Sequence, residues 1–275
     1  MRILCLLIGC LLLHYPQPQN DLSRQKLKGW VRTVTMCQCP VKKDGVTDSN
    51  GWIVYMFRYD NNGNQVEDND YIGGTLYNGF GMLLHKRIYR YDAGGKQVEV
   101  IEYKQNGNIN QKVNYSYDER GNRVERHNYN ADGTLWYRSV FRYDDAGNKL
   151  ACDKYNTDTF LQEHYGYSYD SRGNLAEEEY HVYNLPYSNK PGAEKSGDKR
   201  HYADIEGKLD YRKTYTYDDS GKKIGELYYV PGFAIPFQTK YLYENYDTAG
   251  NWLKETYMED GKPATVIERV IEYYQ

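Results

Sequence analysis

A Tyr-Asp pair with a glycine three residues after the aspartate returns seven times along this 275-residue chain, and its spacing restricts the available folds more than any other feature. The tyrosines of the pairs are Tyr59, Tyr91, Tyr117, Tyr143, Tyr169, Tyr217 and Tyr246, separated by 32, 26, 26, 26, 48 and 29 residues. A recurrence of this period marks a repeat architecture built from one supersecondary unit. Each unit carries a second turn signal about halfway round, such as Asn130-Ala131-Asp132-Gly133 or Gln105-Asn106-Gly107. The unit is therefore strand, turn, strand, turn. In the first turn, Asp-x-x-Gly suits a type I turn whose glycine takes the left-handed position of a G1 bulge, with the carboxylate capping local amides. The second has the dipeptide of a tight hairpin.

The strands leading into the pairs alternate. Ile109, Val113, Tyr115 and Tyr117 share a parity against Asn110, Lys112, Asn114 and Ser116, and Leu135, Tyr137, Phe141 and Tyr143 repeat it, as do Leu209, Tyr211, Tyr215 and Tyr217. Period two with one polar face predicts half-buried antiparallel sheet. Tyrosine supplies the apolar face: 32 of the 42 aromatic residues are Tyr, a ring that buries area while its hydroxyl stays at a wet edge. Consecutive hairpins place Tyr beside Tyr, giving ladders of cross-strand aromatic pairs. The expected fold is all-β, with antiparallel β-hairpin repeats in a curved or spiral meander sheet rolled about its Tyr face and gradual, nearest-neighbour energetics.

Three regions flank or interrupt the array. Residues 1–20 read as an export segment, with Arg2 followed by the uncharged run Ile3 to Leu13, too short to span a bilayer. Within it Leu7-Ile8-Gly9-Cys10 resembles a lipobox, which would make Cys10 a lipidation site; the competing reading is an ordinary export signal. Residues 21–56 form a lead-in, with a strand over Leu27 to Met36, and 57–275 form the repeat domain, with Pro263 to Tyr274 as a closing pair; lead-in and closing pair are expected to cap the array. A loop insertion at 184–200, rich in Pro, Gly, Ser and Lys, replaces a hairpin turn, and the Gly-rich Tyr71 to Gly81 reads as a widened turn.

Tyr-x-Tyr-Asp-x-x-Gly-Asn followed by an apolar residue, as in Tyr115 to Val124, resembles the YD repeats of rearrangement-hotspot (Rhs) and teneurin-type proteins. It is closer still to the two-turn repeats of Bacteroidetes envelope proteins, over Phe57 to Tyr274. The Rhs resemblance implies a hollow β-shell around a toxin domain. This chain departs from it: it is short for such a shell, and nothing after Ile271 resembles the Asp-Pro-x-Gly segment that ends the Rhs core.

No catalytic constellation is legible. The formal charge of −3 lacks the basic footprint of a nucleic-acid binder. Cys37, Cys39 and Cys152 are too few for a disulfide scaffold, and Cys37-Gln38-Cys39 reads as two strand residues on one face rather than a metal pair. None of the histidines has zinc-helix spacing; His164, beside Glu163, falls on a polar strand face. Asp60-x-Asn62-x-Asn64 departs from a calcium loop, with Gly63 at position four and Tyr71 where the bidentate Glu belongs. No metal or cofactor is expected. The leading expectation is a non-enzymatic exported or envelope protein acting as a scaffold or protein-interaction surface, reaching a membrane only through an N-terminal lipid anchor. The alternative is a carbohydrate-binding module that uses exposed aromatics on a polysaccharide, with Trp136 and Trp252 as candidates and Trp136 on the exposed parity. A third reading is a remnant or accessory of an Rhs-type toxin system.

Overall fold

In a computed structural model, residues 20–41, 53–74, 76, 79–157, 159–183 and 207–275 are described. Residues 1–19 of the export segment, with Cys10, and the 184–200 insertion lie outside them. One turn of helix, α1 (Asp21–Arg24), precedes sixteen strands. The first eight are β1 (Val31–Pro40), β2 (Ile53–Tyr59), β3 (Gln65–Ile72), β4 (Met82–Tyr91), β5 (Gln97–Lys104), β6 (Ile109–Tyr117), β7 (Arg123–Asn130) and β8 (Leu135–Tyr143). The second eight are β9 (Lys149–Asn156), β10 (Leu161–Tyr169), β11 (Leu175–Val182), β12 (Lys208–Tyr217), β13 (Lys223–Tyr229), β14 (Phe237–Tyr246), β15 (Trp252–Glu259) and β16 (Lys262–Tyr273). Each strand pairs antiparallel with its sequence neighbours, and β1 also pairs with β16. The sheet is therefore a closed 16-strand barrel.

Closure corrects the expectation of an open or spiral meander. The segments read as caps are the two sides of the seam: Val34 stands opposite Ile271 on β16 and Phe57 on β2. The C-terminal segment is one 12-residue strand rather than a pair. An exposed row of unpaired amides and carbonyls at each end of the sheet is an association hazard, and mutual pairing removes both.

The Asp turns form as their chemistry dictates. In the first, Gly63 N donates to Asp60 O while Asp60 N donates to Asn64 O, and Gly63 has φ +80°. Asp60 Oδ1 accepts from the amides of Asn62 and Asn64, and Asn64 Nδ2 donates to Oδ2, so the acidic pattern is a turn cap. The arrangement recurs around one end of the barrel, with Asp118, Asp144, Asp170 and Asp247 each capped by the Asn four residues on. A further bulge follows most turns, for example between Arg58 and Tyr59 against Glu67 and Gln65; each adds local bend and twist, which helps the sheet curl to closure.

The Tyr parity faces the interior. Along the lead-in strands half-buried tyrosines alternate with exposed residues: Arg90, Asn114, Ser116, Arg142, Ser168, Thr216, Lys240 and Glu244. Leu22 and Leu27, from a segment that crosses the barrel end, pack on Val31, Val34 and Tyr59 with Phe57, Ile271 and Tyr273 against them. A smaller cluster forms on the outer face, where Leu76 of the 73–81 connection folds over Cys37, Cys39 and Val54. The two thiols lie side by side, Sγ to Sγ 3.3 Å, both buried.

Candidate functional site: the inner aromatic wall

On β10 to β14 the inward face carries a continuous row of rings. Tyr165, Tyr180 and Tyr211 are direct cross-strand partners, with centroids 4.6 and 5.1 Å apart. Tyr228 follows at 5.4 Å, its direct partner Phe237 at 6.3 Å, and Phe233 of the 230–236 connection at 5.6 Å. The row lies toward the end of the barrel away from the Asp turns. Its last two members, Phe233 and Phe237, are 57% and 53% exposed, whereas the tyrosines are half-buried.

Carboxylates line the row. Tyr211 donates to Glu178 (2.9 Å), Tyr241 to Glu226 (3.0 Å) and Tyr165 to Glu163 (3.4 Å). Burial, and then these carboxylates, push the hydroxyls of Tyr165, Tyr211 and Tyr241 well above the usual tyrosine range. Lysines answer the acids: Lys154 sits 2.7 Å from Glu163, Lys213 3.3 Å from Glu226, and Lys223 3.5 Å from Glu226. Lys213 also lies over the rings of Tyr211 and Tyr228. The wall is aromatic, rich in acceptors and locally close to charge-neutral.

Toward the Asp-turn end the inner wall is laced strand to strand by its own contacts. The second tyrosine of successive units donates its hydroxyl to the first carbonyl of a neighbouring return strand: Tyr117 to Gln97 O, Tyr143 to Arg123 O, Tyr169 to Lys149 O, Tyr217 to Leu175 O and Tyr243 to Lys223 O, at 2.7 to 2.9 Å. Cations stack between them, with Arg123 3.7 Å from the Tyr115 ring and Lys149 4.0 Å from that of Tyr167. Across this end runs a strap, residues 20–30. Asp21 Oδ2 accepts from Tyr91 on β4 and from the amide of Gln65, while Lys26 Nζ donates to Gly221 O at the β12–β13 turn and Lys28 N to Asn251. Strands β4 and β12 are half the barrel apart, so the strap follows a chord of the mouth.

The proposed tryptophans do not meet. Trp136 occupies a bulge of β8, 55% exposed on the outer face, edge-on to Tyr137. Trp252 is half-buried on the inner face seven strands away, with the Arg269 guanidinium 3.6 Å over its ring and Arg269 Nε donating to its carbonyl. Burial lowers the Arg269 pKa to about 10. His164 lies on the outer face, its Nδ1 2.6 Å from Asp153, which also binds Arg142. Inside, Arg87 joins Asp68, Asp70 and Glu102 at 2.8 to 3.1 Å, tying β3, β4 and β5 together. Among the described residues no group of three His, Cys, Asp or Glu side chains is placed to hold a metal. The residues missed by sequence reasoning are Tyr180 and Tyr228 on return strands and Phe233 and Phe237 in the irregular 230–240 region. Register counted from the Asp turns would have placed the first two opposite Tyr165 and Lys213.

Comparison with solved structures fits this architecture. The chain is similar to a porin-like protein from Bacteroides uniformis, at 9% identity over 88% of this chain and 98% of that one, with a TM-score of 0.54. A porin-like protein from Bacteroides vulgatus aligns at 12% identity over 90% and 99%, with a TM-score of 0.47. The TcdB2-TccC3 structure without its hypervariable C-terminal region aligns at 15% identity over 80% of this chain but 12% of that one, with a TM-score of 0.34. At 9% identity the first likeness is one of fold. No family model and no curated protein matches the sequence.

Proposed function

We propose that this chain is a non-enzymatic, exported, envelope-located barrel of the YD-like repeat class that works as a binding module, taking its ligand or partner from water rather than conducting solutes through a bilayer. The observation that carries this reading is the charge at mid-strand on the outer face. Arg212 pairs with Glu179 at 2.5 Å, Lys86 with Glu67 at 3.4 Å and Arg138 with Glu125 at 3.7 Å, all on the face that lipid would have to cover. A membrane barrel presents an apolar band there, and an Arg or Lys at the bilayer midplane costs roughly 2–4 kcal/mol. A water-facing wall carries such pairs without penalty. The lumen of a 16-strand barrel is wider than side chains fill, which leaves the inner wall for a ligand.

A protein-interaction role draws support from the outer face of β13 and β14, where Leu227, Tyr229 and Leu242 are exposed, and from the connection between them, where Ile235 is 77% exposed. The test is behaviour without detergent. The exported chain is expected to stay monodisperse in buffer and leave planar bilayers silent; a need for detergent together with stepwise conductance refutes the reading. Release of the chain from the envelope fraction by Cys10→Ala checks the anchor.

A further inference from the structure

We propose that the outer wall of β10 and β11 carries a binding site for a late divalent transition-metal ion, held by His164 and His181 above Gly166. This goes beyond the binding-module reading and uses a face of the barrel that the inner aromatic wall does not reach.

Register builds the site. The i, i+4 histidine spacing of a zinc helix has a counterpart on a sheet, the cross-strand pair. His164 and His181 are 17 residues apart in the sequence but direct partners across β10 and β11, and Gly166 pairs with Glu179 two positions along the same face. The two rings lie edge to face with centroids 5.9 Å apart. For metal–nitrogen bonds of about 2 Å, two imidazoles on one ion hold their centroids roughly 4.5 to 6 Å apart, according to the angle at the metal. Both side chains reach the exterior, at 27% and 26% exposure.

The partners fix the tautomers. Asp153 Oδ1, 2.6 Å from His164 Nδ1, and the Gly207 carbonyl, 3.4 Å from His181 Nδ1, are acceptors, so each Nδ1 carries a proton and each neutral ring keeps its lone pair on Nε2. A carboxylate or carbonyl on the far nitrogen is the support that metal-bound histidines have. The two Nε2 atoms turn toward the same place. His164 Nε2 lies over Gly166, where a Cβ would stand 3.6 Å from it and within 4 Å of nothing else. His181 Nε2 faces Glu179 Oε2, across from Gly166, at 3.5 Å. A lone pair turned to a carboxylate is unfavourable until a cation comes between them. Arg212 engages Glu179 through Oε1, which leaves Oε2 to accept from a metal-bound water. Asp153, Glu177 and Glu179 outnumber their partners Arg142 and Arg212, so these ion pairs leave one negative charge beside the rings. Imidazole nitrogen selects zinc, nickel and copper over calcium and magnesium. With two protein ligands and water the site is open and exchangeable, unlike a four-ligand structural centre.

The experiment is titration calorimetry of the full, untagged, chelator-treated chain with nickel(II), an imidazole-preferring ion that spares the thiols the oxidation copper(II) would bring; calcium and magnesium are the oxygen-preferring arms. One equivalent of nickel should bind. His164→Ala and His181→Ala should each weaken it at least about tenfold, since losing even a group that supports a ligand costs that much. Gly166→Val keeps both imidazoles but fills the space beneath His164 Nε2, and should weaken binding as strongly. A β-branched residue suits a strand, so this variant keeps the test decisive if a histidine variant fails to fold. His127→Ala, elsewhere on the outer wall, should leave binding unchanged. No nickel uptake by the folded chain, calcium binding as tight as nickel binding, or nickel binding undiminished in any folded variant of His164, His181 or Gly166 overturns the site.

Discussion

Two glycines in identical turns should respond differently to the same substitution, because only one of them carries the strap. Gly121 has φ +88°, and a Cβ there would meet nothing nearer than Lys96 Cε at 3.7 Å. Gly121→Ala therefore carries only the left-handed penalty for a side chain, about 1–2 kcal/mol. Gly63 has φ +80°, but its Cβ would stand 2.4 Å from Asn20 Nδ2 and 3.0 Å from Leu22 Cδ1. Gly63→Ala adds to the same backbone term the displacement of the Asn20 amide from Asn62 O and a small shift of Leu22 at the strap contact, together about 1 kcal/mol. For a chain of this size a kilocalorie shifts Tm by about 2–4 °C, so Gly121→Ala should lower Tm by about 2–8 °C and Gly63→Ala by about 2–4 °C more. Near-ultraviolet circular dichroism reads the melts, and hydrogen exchange reads the strap amides of Leu22 and Leu27, which hydrogen-bond to Gly63 O and Leu22 O. Equal Tm losses, or strap amides no less protected in Gly63→Ala than in Gly121→Ala, would refute the reasoning.

Other expectations are independent of the strap. Tyr143→Phe removes the bond to Arg123 O and should cost about 1 kcal/mol in urea unfolding, whereas Tyr229→Phe on the outer face should cost almost nothing. Val34→Asp puts a charge at a seam position only 2% exposed; because a closed barrel has no free end to fray, it should lower the single cooperative transition instead of adding an early local one. In the Asp144, Asp170 and Asp218 turns, hydrogen bonds from Asn148, Asn174 and Ser220, then from backbone amides, hold the carboxyls below their ordinary value of 3.8. Their folded pKa is depressed, so their contribution is complete above that value and disappears as pH falls through the folded ones; the urea midpoint should drop below about pH 4, less steeply in Asp144→Asn plus Asp170→Asn. Absorbance titration near 295 nm should show tyrosines still protonated at pH 11, among them Tyr257, pushed to about 12 by burial and then by Glu255, and this masked fraction should vanish in denaturant.

Local physics was legible because it repeats. The Asp turn, its left-handed glycine and the Tyr alternation are fixed by residues within five positions of each other, and each recurs often enough to be read against the rest. Closure was not legible. It depends on Val31 to Pro40 meeting Thr265 to Tyr273 in register, two non-repeating segments more than 220 residues apart whose alternation fits a cap equally well. The candidate site was legible in kind but not in place. Tyrosine ladders follow from the hairpins, yet the longest one recruits Tyr180 and Tyr228 from return strands and Phe237 from a segment with no repeat signature. Trp252 is held inward by Arg269 of the adjacent strand β16, which stacks on it, and no pattern within the repeat announces that arginine.

The hydroxyl-to-carbonyl step that joins one Asp turn to the next makes the circumference a count. Every hairpin is fastened to its neighbour by the same bond, so the barrel has no privileged hairpin apart from the seam and the strap. Duplicating one 26-residue unit between Tyr117 and Tyr143 would insert two strands and one more link without disturbing any existing turn. Genes of this kind can thus change bore by unequal crossing-over, in steps of one hairpin, and the strap, whose length is fixed, sets the widest ring that still closes at its mouth.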